Sequence, residues 1–392
     1  MALKDNASLA LIPAAYKTSK VYSAIPTDGD GDFTFSRISS GTRTNKAGLV
    51  QTMSTNVPRL DYLENGVLQS CPSLLLEPTR TNYALDSNDI SVWTNTISGG
   101  SITSTANYAT SPDGSNTATR LQMTATSYAM KNESTTSIVG NYAATIYLKS
   151  NTGLNQEVAI YGRNTPVTSY TVTSQWQRFE INGSATSGQS SYINFGVNIG
   201  AGSDATLDIL AWGGQIEAGS YATSLIPNPT GTDITRTEDF CYINSGLQNI
   251  LNTSQGTLFV DLEVPRVATI SDFDRIVLSD QTSSTDRIIL DNFGGNWRSL
   301  MISSAGVVAR TIVSVTANQR IKVAIAYSST QLRISYNGNT ATTTSGSYTP
   351  TTTLESFKFS NVSGGSKCQG KIYQAMYFNT ALTNTELQTL TS

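Results

Sequence analysis

The chain has 392 residues, with 25 Lys and Arg against 28 Asp and Glu, no histidine, and a formal net charge of −3. At 38% hydrophobic and 14% charged it can bury sizeable cores, but it lacks the concentrated basic footprint that nucleic acid requires. The missing histidine removes the commonest general base, the usual metal ligand and the Ser–His or Cys–His nucleophile pair. A hydrolase working with carboxylates alone survives that test; most other enzyme classes do not.

The length suggests two or three domains. Ser, Thr, Asn and Gly take the place of the usual charged residues, which disfavours long helices and suits strands and turns. The expected fold class is therefore all-β, as two antiparallel β-sandwiches after an irregular N-terminal segment. No run reaches the roughly 18 apolar residues of a membrane helix. The start of the chain, with Pro13 interrupting a short apolar patch, argues against a signal peptide. Cys71, Cys241 and Cys368 are far apart, so neither a disulfide framework nor a zinc site is expected, only buried thiols.

Residues 1–85 read as a lead segment: a turn cluster, a short alternating strand at Phe33-Thr34-Phe35, an extended stretch demoted by Pro58, and Leu74-Leu75-Leu76 between Pro72 and Pro78. Residues 86–229 show short strands about ten residues apart, the spacing of a sandwich. Pro227, Pro229 and Gly231 open a bridge over 230–255. A second sandwich follows over 256–392, with Asn337-Gly338 as a hairpin turn and Thr383 or Asn384 as the cap of a short final helix.

The stretches TDGDGDFTFSR, SGTRTNKAGLV, NVPRLDY and CPSLLLEPTRTN, followed by Trp93 and SPDGSNTATRL, resemble a segment of phage structural and tail proteins that leads into a carbohydrate-binding-module-like jelly roll. The stretch WGGQIEAGSYATSLIPNPTGTDITRTED resembles the exit of that module. GTLFVDLEV, IKVAIAYSSTQLRISYNG and ELQTLT resemble the opening, middle and end of a concanavalin A-like, laminin-G-like domain. The resemblance implies a virion surface protein, a fibre, adhesin or decoration subunit. Its expected partners are other virion proteins held through residues 1–30, further copies of itself (a trimer first), and host or environmental glycans. A spacer without glycan affinity is the alternative, and a glycanase the third reading.

Several motifs carry candidate chemistry. Asp28, Asp30 and Asp32 have the opening rhythm of a calcium loop, but Ser39 stands where the closing bidentate Glu belongs; a solvated turn, or a calcium at a subunit contact, are the two readings. No other cofactor is implied. Asp261 and Glu263 share one face of a strand, yet Phe259 and Pro265 occupy the flanking positions of the E-x-D-x-E pattern in glucanases of the concanavalin A-like fold. Trp93, Trp176 and Trp212 sit in strand-like segments and are expected in the core. Trp297, after a double glycine and beside Arg298, is the candidate sugar or receptor contact. Tyr161 and Arg163 form a second candidate pair. Arg59, Asp61, Glu77 and Arg80 lie close to prolines and are expected to form ion pairs that fix irregular backbone against the sandwich over 86–229.

Overall fold

The computed structural model describes residues 3–270, 274–280, 285–365 and 367–392. It is all-β, its sheets built from antiparallel pairs; among the described residues the α-helix is Asn384–Thr391. Two compact units divide the chain: Met1–Ser40, Met53–Pro78 and Glu238–Ser392 form the first, Gly41–Thr52 and Thr79–Thr237 the second.

The first unit is a sandwich of two sheets. In one, Gly256–Glu263 lies between Arg320–Tyr327 and Gly370–Phe378; the other runs through Phe240–Ile243, Ser356–Lys358, Asp274–Ser279, Arg287–Phe293 and Asn296–Ser303 to Gly306–Ser314 at its edge. Period-two alternation sends Leu258, Val260 and Leu262 inward, where Ile276, Leu278, Ile288, Leu290 and Phe357 of the other sheet share their core. On the outer side, Phe259, Ala324 and Met376 are covered by Leu387 and Leu390 of the helix. That helix starts at Thr383, which exchanges hydrogen bonds with Glu386 in a capping box. The sequence left Thr383 and Asn384 both open; the cap is Thr383.

A separate lead segment over 1–85 and a linker over 230–255 do not form. Leu9–Leu11 pairs with Gly370–Phe378, Phe33–Ser36 with Phe240–Ile243, and Val67–Leu76 extends the first sheet. Leu9, Leu11, Phe33, Phe35, Leu74, Leu76 and Cys241 all lie in the main core. The apolar residues near the N-terminus are therefore core rather than a free anchor. Each short piece supplies only two or three inward side chains, too few to close a core alone. Their partners are hundreds of residues away, so no local pattern betrays them.

Buried charge ties these pieces together. Arg59 donates to Glu77 (2.5 Å) and to Asp239, Arg37 donates to Asp239 (3.0 Å), and the Glu77 N–H reaches Asp239 at 2.9 Å. Burial works against the Arg59 charge, but attraction and hydrogen bonding to Asp239 and Glu77 outweigh it, so its pKa lies above the ordinary arginine value. Arg59, Asp61, Glu77 and Arg80 all form ion pairs, but the expected placement against the sandwich over 86–229 holds for Arg80 alone of the four, on Glu217; Arg59 and Glu77 pair with each other and Asp61 with Lys371 inside the first unit, whose sheet their strands extend.

The second unit is one eight-stranded sheet folded over its own core, the jelly-roll-like half of the chain. Its long strand Ala118–Thr135 pairs with Thr206–Ala218 through residues 119–124 and with Ser191–Asn198 through residues 128–135. One strand thus serves both halves. The unit extends past the expected 86–229 at both ends, because Arg80–Asn82 pairs with Ile234–Arg236. Trp93 and Trp212 are buried as expected, while Trp176 is half-buried and donates to the Thr110 carbonyl.

Candidate functional site: a tyrosine face on the second unit

The strand Ser191–Asn198 sends Ile193, Phe195 and Val197 into the core, which turns Tyr192, Asn194 and Asn198 to the opposite face. The neighbouring strand Gln156–Gly162 buries Val158 and Ile160 and turns out Tyr161, which stands opposite Asn194 in the ladder. On the other side, Asn132 stands opposite Asn194 and Tyr128 opposite Asn198. Three tyrosines thus gather on one face. The Tyr161 and Tyr192 rings meet edge to face, with centroids 6.4 Å apart and planes at 87°.

Burial, then the neighbouring Tyr192 and Tyr128, push the Tyr161 hydroxyl above its ordinary pKa, so it stays a neutral donor. Asn132 donates to Asn194 at 2.8 Å, and Met130 between Tyr128 and Asn132 is buried. The three tyrosines themselves are half-exposed. Chemically the face offers ring surfaces for the C–H side of a sugar, and amides and hydroxyls for its rim.

Arg163 closes one end. Its guanidinium lies 5.3 Å from the Tyr192 ring centroid and donates through Nε to the Ser190 carbonyl at 2.5 Å. The candidate pair Tyr161 and Arg163 is therefore brought together, around a third residue, Tyr192, that sequence reasoning missed along with Tyr128, Asn132 and Asn194. The signal was available: Asn is depleted in strands, yet Asn194 and Asn198 stand four apart in one strand, on the same face as Tyr192.

On the core side of the same long strand, Lys131 donates to the Ser91 and Trp93 carbonyls, each at 2.9 Å. Burial lowers its pKa to about 8, against the pull of Asp89. Glu133 accepts from the Leu85 N–H, and burial raises it to about 7. Both groups alternate with the tyrosine face and point away from it.

The other candidates fare differently. Trp297 belongs to the strand Asn296–Ser303 and is only 4% exposed, inside the core of the first unit, so it cannot meet a sugar or receptor. Gly294 and Gly295, both at positive φ, form the tight turn of a hairpin, and the alternation that follows points Trp297 inward. Arg298 grips Asp291 with Nε (3.1 Å) and Nη2 (2.9 Å) and lies 4.0 Å from the Phe293 ring centroid. It is committed within the fold.

Asp28, Asp30 and Asp32 do not converge. Asp28 accepts from the Asp30 N–H, and Asp32 takes the Ser23 N–H and Lys20. Among the described residues no group of three or more Cys, Asp or Glu is placed to hold a metal. Asp261 is held by both prongs of Arg320, at 2.7 and 2.8 Å. Burial raises the pKa of Glu263, which accepts from the Tyr373 hydroxyl at 3.3 Å. Cys241 and Cys368 are buried as expected, but Cys71 is exposed; it stands on the outer half of Val67–Leu76, beyond the part that enters the core.

No family model matches this chain, and no curated protein does. Among solved structures, it is similar to the CBM40 of a Ruminococcus gnavus IT-sialidase bound to α2,3 sialyllactose (13% identity, 38% of this chain and 87% of that one, TM-score 0.32). It is also similar to domain 4 of AbnA, a GH43 extracellular arabinanase from Geobacillus stearothermophilus, in complex with arabinotriose (16%, 45% and 84%, TM-score 0.32). A third similarity is to domains LG4-5 of the mouse laminin alpha1 chain (9%, 63% and 87%, TM-score 0.28). The all-β class of the present chain stands on its own sheets.

Proposed function

We propose that this chain is a non-enzymatic glycan-binding protein whose ligand lies across the tyrosine face of the second unit. The observation that carries this reading is the gathering of Tyr128, Tyr161 and Tyr192, half-exposed and flanked by Asn132, Asn194 and Arg163, on one face of a rigid sheet. Rings fixed by strand register need little ordering on binding, which favours affinity. A hydrolytic reading finds less support, because Asp261 is occupied by Arg320 and a paired-carboxylate mechanism needs both groups available.

The test is a glycan array with the purified full chain and its Tyr161→Ala and Tyr192→Ala variants. Binding to a defined subset of glycans is expected, weakened about fivefold or more in each variant, since loss of a stacked ring costs on the order of 1 kcal/mol or more. An array without hits, or hits indifferent to both substitutions, would overturn the reading and favour a spacer.

The placement of the chain on a phage virion, as a homo-oligomeric adhesin or decoration subunit with a trimer first, is proposed from the sequence resemblance. Electron microscopy of particles lacking the protein is expected to show a missing appendage; an unchanged outline sinks that placement.

A further inference from the structure

We infer that the glycan held on the tyrosine face is acidic, and that Arg163 recognises its carboxylate or sulfate group; this rests on the reading of that face as the glycan site. Arg163 is fixed at three points before any ligand arrives. Its backbone N–H donates to the Tyr142 hydroxyl at 2.6 Å, and that hydroxyl in turn donates to the Tyr192 carbonyl at 2.9 Å. Its own carbonyl accepts from the Ser184 N–H at 3.3 Å. Its Nε is spent on the Ser190 carbonyl, at 2.5 Å.

The chain packs tightly here. A Cβ on Gly183 would meet the Arg163 carbonyl and the Tyr142 ring at 2.5 Å. What remains of the guanidinium is the edge formed by Nη1 and Nη2, which makes no hydrogen bond or ion pair with any described residue. That edge presents parallel N–H donors to a planar or tetrahedral oxyanion.

Other arginines of the unit spend their tips within the fold, Arg178 on the Thr223 carbonyl and the Thr145 hydroxyl. In the same unit Arg120 grips Asp208 with two prongs, at 2.8 and 2.6 Å, and Arg80 faces Glu217. Arg163 is half-buried, so its charge has lost part of its water without gaining a counter-ion. On the tyrosine face the carboxylate in the neighbouring strand is Glu157, at the far end of Gln156–Gly162, where it accepts from Thr171 at 2.6 Å. Lys131 and Glu133 face the core side. An anion on the ligand would complete the pair that the fold leaves open.

The experiment compares, on the full chain, matched probes that differ only in the acid: trigalacturonic acid against its methyl ester, sialyllactose against lactose, and sulfated against unsulfated dextran. Polyglutamate serves as a non-sugar polyanion. The acidic member of at least one pair is expected to bind about tenfold or more tightly than its neutral partner, and to weaken as salt rises from about 50 to about 500 mM.

Arg163→Gln should erase that preference and Arg163→Lys retain part of it, with thermal melts confirming that each variant folds; the ligand-side comparison stands even where one does not. If the pairs bind equally while Tyr161→Ala abolishes binding, the acidic inference falls and the site reading stands. If hits ignore Tyr161→Ala and Tyr192→Ala, or polyglutamate binds as well as the acidic glycans, the recognition proposed here is overturned. Should no probe bind at all, both fall together.

Discussion

Arginines close on carboxylates in both units, but the two units differ in what their recognition candidates expose. In the first, Arg37, Arg59, Arg298 and Arg320 all turn to carboxylates of the same unit, and the aromatic residue that the sequence offers for recognition, Trp297, is core. In the second, three tyrosines stand on an outward face with an arginine whose tip is unclaimed. Charge that closes on itself holds chain segments together, whereas charge left open beside a ring surface is available for a partner. That difference separates the two units more sharply than fold class does, since both are antiparallel β.

The largest effect expected of this contrast lies in the first unit. Asp239→Ala removes the acceptor of Arg37, Arg59 and the Glu77 N–H at once, leaving buried guanidinium charge uncompensated, at a cost of about 3–5 kcal/mol. Hydrogen exchange is expected to lose protection in Phe240–Ile243 and Gly256–Glu263 while Ala118–Thr135 keeps it. Equal loss in both units would break the comparison.

A smaller effect belongs to the second unit. With Glu133 held at about 7 rather than 4.5, the folded state retains a proton that the unfolded chain has released between those values, so stability falls as pH rises across that window. Lys131, at about 8 rather than 10.5, gives up its proton earlier than the unfolded chain does, so stability rises again over that upper window. Melts against pH should show the unit least stable near pH 7 to 8. Glu133→Gln should flatten the acid limb, by roughly 1 kcal/mol after allowance for solvent screening; an unchanged limb would place the titration elsewhere.

The smallest effect sharpens the picture at the outer part of Val67–Leu76. Cys71→Ser should shift stability by less than about 0.5 kcal/mol. In the native protein a thiol reagent should label Cys71 alone, because burial raises the pKa of both Cys241 and Cys368. Labelling of Cys241 or Cys368 in the native state would show that the main core opens.

What the sequence made legible was local. Phe33–Ser36, the Asn337-Gly338 turn and the capped final helix follow from alternation, positive-φ pairs and capping chemistry within a few residues. The place of the first 78 residues was not legible, because the ladder partner of Leu9–Leu11 and one of the two neighbours of Phe33–Ser36 lie beyond residue 238. Trp297 was misread for a subtler reason. Its double glycine signals either a loop or a tight hairpin turn, and only the pairing of Phe293 with Asn296 decides between them. For the site, Tyr161 and Arg163 were visible as residue types in a suggestive place. That Tyr192 and Tyr128 join them depends on strand register across 30 or so residues, which periodicity alone does not fix.

The interleaving of the first unit has a consequence in time. Lys4 donates to Gln374, 370 residues further along, and Leu9–Leu11 cannot find its ladder until Gly370–Phe378 exists. At about 5–20 residues per second, the earliest strands emerge tens of seconds before their partners are made. The second unit, whose long strand and its mates all fall between residues 79 and 237, can close during that wait. A nascent chain would then carry a finished tyrosine face while its first unit is still half-built. Leu9, Leu11, Phe33 and Phe35 would be exposed throughout that interval, making this the stage at which chaperone help or aggregation is decided.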